Sequence, residues 1–70
     1  MDTFPSAKAK RVFSALERIG WKTVRTTGSH KVLSHSDYPN YVFSFHDNEE
    51  IGPVMLKIIS KHTGLKPEDL

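Results

Sequence analysis

Residues 21–46 read WKTVRTTGSHKVLSHSDYPNYVFSFH and decide the fold. Two β-type runs, at about 21–27 and 29–35, are separated by Gly28, which suits a tight turn. A segment rich in turn-forming residues follows, and residues 41–46 then alternate, with three aromatic side chains on one face. These patterns predict three antiparallel strands, of which the last points its aromatic face inward.

Helical patterns flank these strands on both sides. From about residue 6 to residue 19 the apolar residues recur at helical spacing, and Gly20 is placed to end that helix. A second helix is predicted at about 53–63, with Pro53 as its first residue. Its predicted inward stripe consists of Met55, Ile58, Ile59 and His62.

The arrangement of these elements follows from the need to bury both apolar stripes. The two helices must cover the same face of the sheet, which leaves the other face open to solvent. A chain of 70 residues, 37% of them apolar, can build one small core but not two. The sequence therefore predicts one α+β domain over residues 1–70, in the order helix, three-stranded antiparallel sheet, helix.

Composition excludes several classes of protein. The chain has no cysteine, so no disulfide can reinforce it, and this favours a reducing, intracellular compartment. No apolar run approaches the ~20 residues that cross a bilayer. The first residues lack the basic start and the apolar stretch of a signal peptide. We therefore expect neither a membrane protein nor a protein secreted by a signal peptide.

Charge is small in total but unevenly distributed. The net charge is +2, and seven of the ten basic residues fall within the first thirty-one positions, where only Asp2 and Glu17 oppose them. This basic half is a candidate for contacting phosphates. Lys8, Arg11 and Arg18 fall in one row on the first helix, as a solvated face or as an RNA-facing one. An acidic cluster at Asp47, Glu49, Glu50, Glu68 and Asp69 is a candidate for a different partner.

Two histidines are the candidates for chemistry. If the second hairpin closes around Tyr38, counting back along the strands places His30 opposite His46 on the open face. Cross-strand neighbours have Cβ atoms ~5 Å apart, so two imidazoles there could act on one group. Such a pair suggests metal-free RNA cleavage by the ribose 2′-OH, which needs a base, an acid and positive charge on the phosphate.

Three basic residues near these histidines, Lys22, Arg25 and Lys31, are the proposed phosphate contacts. At least one of Lys22 and Arg25 must face outward from the neighbouring strand, whereas alternation sends Lys31 to the opposite side of the sheet. No histidine spacing fits a metal motif, so neither a metal nor another cofactor is predicted.

Ordinary structural roles compete with the functional ones for every histidine. His30 and His46 also fit plain surface residues. His35 shares the inward parity of Leu33, which favours packing, and His62 fits a core or a helix-capping residue.

The sequence resembles the HicA toxin family. The similarity rests on LERIGW at 16–21, VRTTGSH at 24–30, FHDNEEIG at 45–52, and LKII at 56–59 with TGL at 63–65. It spans about residues 6–70, in the order and length of the family.

The resemblance implies a double-stranded-RNA-binding-domain-like fold and a cytoplasmic, metal-independent mRNA endoribonuclease. The catalytic histidine it implies is that of the G-S-H segment, His30. A HicB-type antitoxin would bind and cover that region, and direct DNA binding is not expected from this chain alone.

The sequence departs from the family where relatives carry basic residues, at 37–40 and at Pro53. Tyr38 and Tyr41 are candidates to compensate by stacking on bases. Two alternatives therefore stay open: an RNA-binding module that does not cut, and a degenerate toxin that acts only as a protein-interaction domain.

Overall fold

The computed structural model describes residues 4–70. The expectations that concern the first three residues, among them the charge of Asp2, lie outside the described residues. Within them the predicted order of helix, three-stranded antiparallel sheet and helix is confirmed. The elements are β1 (Ala7–Lys8), α1 (Ala9–Arg18), β2 (Lys22–Thr27), β3 (His30–His35), β4 (Tyr38–Phe43), β5 (Glu50–Ile51), α2 (Pro53–Thr63) and a short 3₁₀ turn (Pro67–Asp69).

Both helices cover the same face of the β2-β3-β4 sheet, as predicted. Leu33 and Phe43 point from the sheet into the core, where they meet buried side chains of α1 and α2. The core comprises Phe4, Ala7, Ala9, Val12, Ala15, Leu16, Trp21, Leu33, Phe43, Ile51, Leu56, Ile59 and Leu65. Tyr41 and Phe45 also pack against it, so the inward aromatic face is confirmed. Val42, on the opposite face, is 49% exposed.

The third strand was predicted too late in the chain and in the wrong register. Strand β4 spans 38–43 rather than 41–46, and Val32 pairs with Val42 instead of with Ser44. The difference is two residues, because the hairpin turns at Ser36 and Asp37 rather than around Tyr38. A register slip of two residues leaves every side chain on the same face of the sheet. The requirement to bury the aromatic residues therefore does not distinguish the two registers.

Each strand pair contains one bulge. Between β2 and β3 the register shifts between Thr23 and Arg25, and the extra residue is Val24. Between β3 and β4 it shifts between Leu33 and His35, opposite the stretch of β4 that contains Pro39. A bulge suits proline, which cannot donate a ladder hydrogen bond.

Helix α1 begins later than the predicted residue 6, because the preceding residues form a second sheet. Ala7 pairs with Ile51 and Lys8 with Glu50 in a two-stranded antiparallel ladder. The first free N–H groups of α1 are then satisfied by the acidic loop: Ala9 N donates to Glu49 O at 2.8 Å, and Lys10 N donates to Asp47 O at 3.0 Å. This ladder fixes the loop that carries His46.

The inward stripe of α2 was wrong in part. The buried residues are Leu56, Ile59 and Thr63, whereas Met55 and Ile58 stay partly exposed. The Thr63 hydroxyl can be buried because it donates to the Ile59 carbonyl at 2.7 Å. None of the helices formed by residues 4–70 is long and apolar enough to cross a membrane.

Candidate nucleic-acid interface

Lys22, Arg25 and His30 lie on the same, open face of the sheet. Arg25 pairs with Val32, and Lys22 pairs with Ser34, two residues further along β3. His30, which shares its face with Val32, pairs with Thr27. Residues three apart in a regular strand point to opposite faces, so the Val24 bulge is what brings Lys22 and Arg25 to one side. Sequence reasoning required only one of them to face outward.

His30 is exposed and is the first residue of β3. It follows the two-residue turn Gly28–Ser29, in which Gly28 takes a positive φ of 61°. The side chain therefore stands at one end of the open face, with the cationic groups of Arg25 and Lys22 further along the neighbouring strand.

Lys31 lies on the other side of the sheet, as alternation predicts. It pairs with Phe43, and its Nζ is 5.1 Å from the centroid of the Phe13 ring on α1. At that distance the ammonium is held by the ring face. Lys31 is thus separated from Lys22 and Arg25 by the sheet itself.

An open groove of about 430 Å³ runs beside the β2–β3 turn. Its lining consists of Gly28, Ser29, Lys31, Phe45, His46 and Asp47. One cation, one imidazole and one aromatic ring therefore share this groove with a carboxylate. His30, which lies between Ser29 and Lys31 in sequence, is not among the residues that line this groove.

His46 does not face His30 across the strands. The β3–β4 ladder ends at Phe43, so His46 lies beyond the sheet, in the loop to β5. That loop holds it by two hydrogen bonds: His46 N donates to Glu49 Oε1 at 3.2 Å, and Glu49 N donates to His46 O at 2.9 Å. The predicted cross-strand pair of imidazoles is wrong, and His46 and the turn residues Gly28 and Ser29 instead line the same groove.

His35 has the packing role that its inward parity predicts. Its Nδ1 accepts a hydrogen bond from Asp37 N at 3.0 Å, which leaves Nε2 to donate to the Ile19 carbonyl at 2.9 Å. Both ring nitrogens are therefore used within the fold. The ring also contacts Trp21, with centroids 5.1 Å apart.

His62 differs from its predicted core position. It is exposed, and its ring stacks on that of Tyr41 with centroids 5.5 Å apart and planes 19° apart. Tyr38 stacks on Trp21, with centroids 5.7 Å apart. Both tyrosine rings that were candidates for base stacking are thus engaged within the protein.

The predicted row of Lys8, Arg11 and Arg18 on the first helix does not form as expected. Lys8 belongs to β1, and its Nζ donates to the Asn48 carbonyl at 3.2 Å. The guanidinium of Arg18 donates to the Asp69 carbonyl. These contacts favour structural roles for both residues. Residues 4–70 hold no cluster of three or more carboxylate and imidazole groups that could bind a metal ion.

Two helices on one face of a three-stranded antiparallel sheet, with a bare basic face opposite, define a domain like the double-stranded-RNA-binding domain. The family model described as "HicA toxin of bacterial toxin-antitoxin" matches residues 9–65. That match covers most of the chain, which therefore belongs to the HicA toxin family and has the role of a toxin opposed by an antitoxin. No curated protein matches the chain significantly.

Proposed function

We propose that this toxin is a metal-independent endoribonuclease that cleaves mRNA in the cytoplasm and is neutralised by a HicB-type antitoxin. The observation that carries the proposal is the shared open face of His30, Arg25 and Lys22. An acid–base group with positive charge on the same face is what cleavage of a phosphodiester requires. Membership of the HicA family supports the same reading.

In the proposed reaction the ribose 2′-OH attacks the adjacent phosphorus. Its proton goes to a base, the bond to the 5′-oxygen breaks, and that oxygen takes a proton as it leaves. The products are a 2′,3′-cyclic phosphate and a 5′-OH, so no external reactant is consumed. His30 is the proposed proton-transfer residue, Arg25 is proposed to stabilise the charge on the phosphorane, and Lys22, further along the strand, is proposed to bind a neighbouring phosphate.

In this proposal Lys31 binds a phosphate next to the scissile one, and His46 reaches the scissile phosphate itself. They line one groove, and that groove opens beside the turn from which His30 emerges. A single strand that bends around Gly28 and Ser29 can reach His30 on one side and Lys31 on the other. His46 is then the candidate for the second proton transfer.

The test is the substitution His30→Ala. We expect RNA cleavage to fall by ~10²-fold or more, because one acid–base group contributes about that much. Stability should change by no more than about 0.5 kcal/mol, since the side chain is exposed. The measurements are the cleavage rate of a long single-stranded RNA with chelator present, and the melting temperature.

His62→Ala is the matched control, because this second exposed imidazole lies on α2 and stacks on Tyr41. It should cleave at the wild-type rate. A folded His30→Ala protein that also cleaves at that rate would exclude His30 as the proton-transfer residue.

The main alternative is an RNA-binding module of the same fold that does not cut. The specific observation in its favour is that no second histidine lies across the strands from His30. Salt-dependent retention of RNA that stays intact over hours would establish this alternative.

A further inference from the structure

Helix α2 presents an apolar row to solvent. Val54, Met55 and Ile58 are 77%, 39% and 43% exposed. At 100° per residue they lie within about a third of the helix circumference, on an arc that adjoins the one formed by the buried Leu56, Ile59 and Thr63. We call these three residues the α2 apolar row. Scattered exposed hydrophobic residues are ordinary, but a contiguous group marks a surface that another molecule covers.

The charged side chains of α2 itself are all positive. Lys57 and Lys61 follow Val54 by three and seven positions, which places them along one edge of the row. The sequence of α2, PVMLKIISKHT, contains no aspartate or glutamate. A complementary surface must therefore combine apolar side chains with carboxylates.

A second copy of this chain does not meet that requirement at the same helix. The same helix of a second copy would bring only further positive charge to this surface, because α2 contains no aspartate or glutamate. Such a contact places like charges together, which is unfavourable. This repulsion favours a different protein as the occupant.

From these observations we infer that the α2 apolar row is a docking surface for an acidic, amphipathic segment of the antitoxin. The row lies on the helix side of the sheet, whereas His30 lies on the open face, so this contact anchors the antitoxin away from the catalytic residue. The inference rests on the antitoxin partner in the proposed function, but it is independent of RNA cleavage by His30.

The experiment measures binding of the purified cognate antitoxin by titration calorimetry. Val54→Ser with Ile58→Ser should weaken binding by at least ~10-fold, because two exposed apolar anchors are removed. Lys57→Glu with Lys61→Glu should weaken it as well and should reduce its salt dependence. Both double variants should keep the wild-type melting temperature within a few degrees, and without antitoxin they should keep the wild-type RNA cleavage rate.

Two matched controls use comparable residues outside the row. Val24→Ser removes an apolar side chain that is 58% exposed on β2, and Lys10→Glu makes the same charge reversal on α1. Lys10→Glu should bind antitoxin within about twofold of the wild type, and Val24→Ser should lose less affinity than Val54→Ser with Ile58→Ser.

Several results would overturn the inference. Unchanged antitoxin binding by both α2 double variants would overturn it. A loss of affinity in Val24→Ser as large as that in Val54→Ser with Ile58→Ser would also overturn it, because the main contact would then lie on the sheet. Stronger binding after the lysine reversals would rule out an acidic partner segment. Self-association of the wild type that disappears in Val54→Ser with Ile58→Ser would identify a second copy as the occupant. If the wild type bound no antitoxin at all, the partner assignment of the proposed function would fail together with this inference.

Discussion

The indole Nε1–H of Trp21 donates a hydrogen bond of 3.1 Å to the main-chain carbonyl of Thr63. Trp21 follows α1 and Thr63 is the last residue of α2, so this bond joins the C-terminal ends of the two helices. The two residues are only 2% and 1% exposed, so water cannot easily replace the bond. The Trp21 ring also contacts His35 and Tyr38, which connects both helix ends to the sheet.

Trp21→Phe should therefore lower the free energy of unfolding by roughly 2–4 kcal/mol. The substitution leaves the Thr63 carbonyl buried without a donor and also removes packed volume. Urea unfolding measures the loss. Phe43→Leu is the control, because it removes buried aromatic volume without a hydrogen bond. Equal losses in the two variants would mean that the bond to Thr63 contributes nothing.

Gly20→Ala should destabilise the fold by about 1–3 kcal/mol, because residue 20 takes a φ of 106° that side chains disfavour. A Cβ there would also lie 2.9 Å from His35 Nε2, the atom that bonds to the Ile19 carbonyl. Thermal unfolding is the measurement. Gly52→Ser is the control, since Gly52 caps α2 with ordinary dihedrals and open space around it, and a serine there should stabilise by a few tenths of a kcal/mol. A Gly20→Ala protein as stable as the wild type would contradict this account.

The stability of the protein should fall at alkaline pH through Tyr41. Burial raises the pKa of the Tyr41 hydroxyl above its ordinary value of 10.0. Above pH 10 the unfolded chain therefore loses this proton before the folded protein does, and unfolding becomes more favourable as the pH rises. The contribution is fully present below pH 10 and is lost as the pH rises through the folded-state pKa. In Tyr41→Phe the fall in urea midpoint between pH 9 and pH 11 should be smaller, and an identical fall would refute the assignment.

Lys22→Gln and Arg25→Gln should each weaken RNA binding and should do so for every RNA sequence. Each removes one phosphate contact, so the slope of log affinity against log salt should flatten by about 0.7 for a single strand. Filter binding at several salt concentrations provides the slope. Lys66→Gln, near the C-terminus, is the matched control and should leave the slope unchanged. An unchanged slope in both sheet variants would remove the open face from the RNA interface.

The main helices and the face they cover could be predicted because their signals are local. Apolar residues at helical spacing, Pro53 as the first residue of α2 and Gly20 after α1 act within a few residues of each other. The β1–β5 ladder could not be predicted from the sequence, because each of its strands is only two residues long and shows no detectable periodicity. The rotation of α2 was missed because the residues at 55 and 58 are as apolar as those at 56 and 59.

By itself the sequence determined the order of the elements, the inward aromatic face of β4 and the position of His30 directly after a turn. Only the tertiary structure decided which charged groups accompany His30. The Val24 bulge brings Lys22 and Arg25 to its face, and the two-residue change of register leaves His46 in the loop beyond β4. The physical reason is that a strand alternates with a period of two. A slip of two residues is invisible to that pattern, and a bulge depends on the partner strand rather than on local sequence.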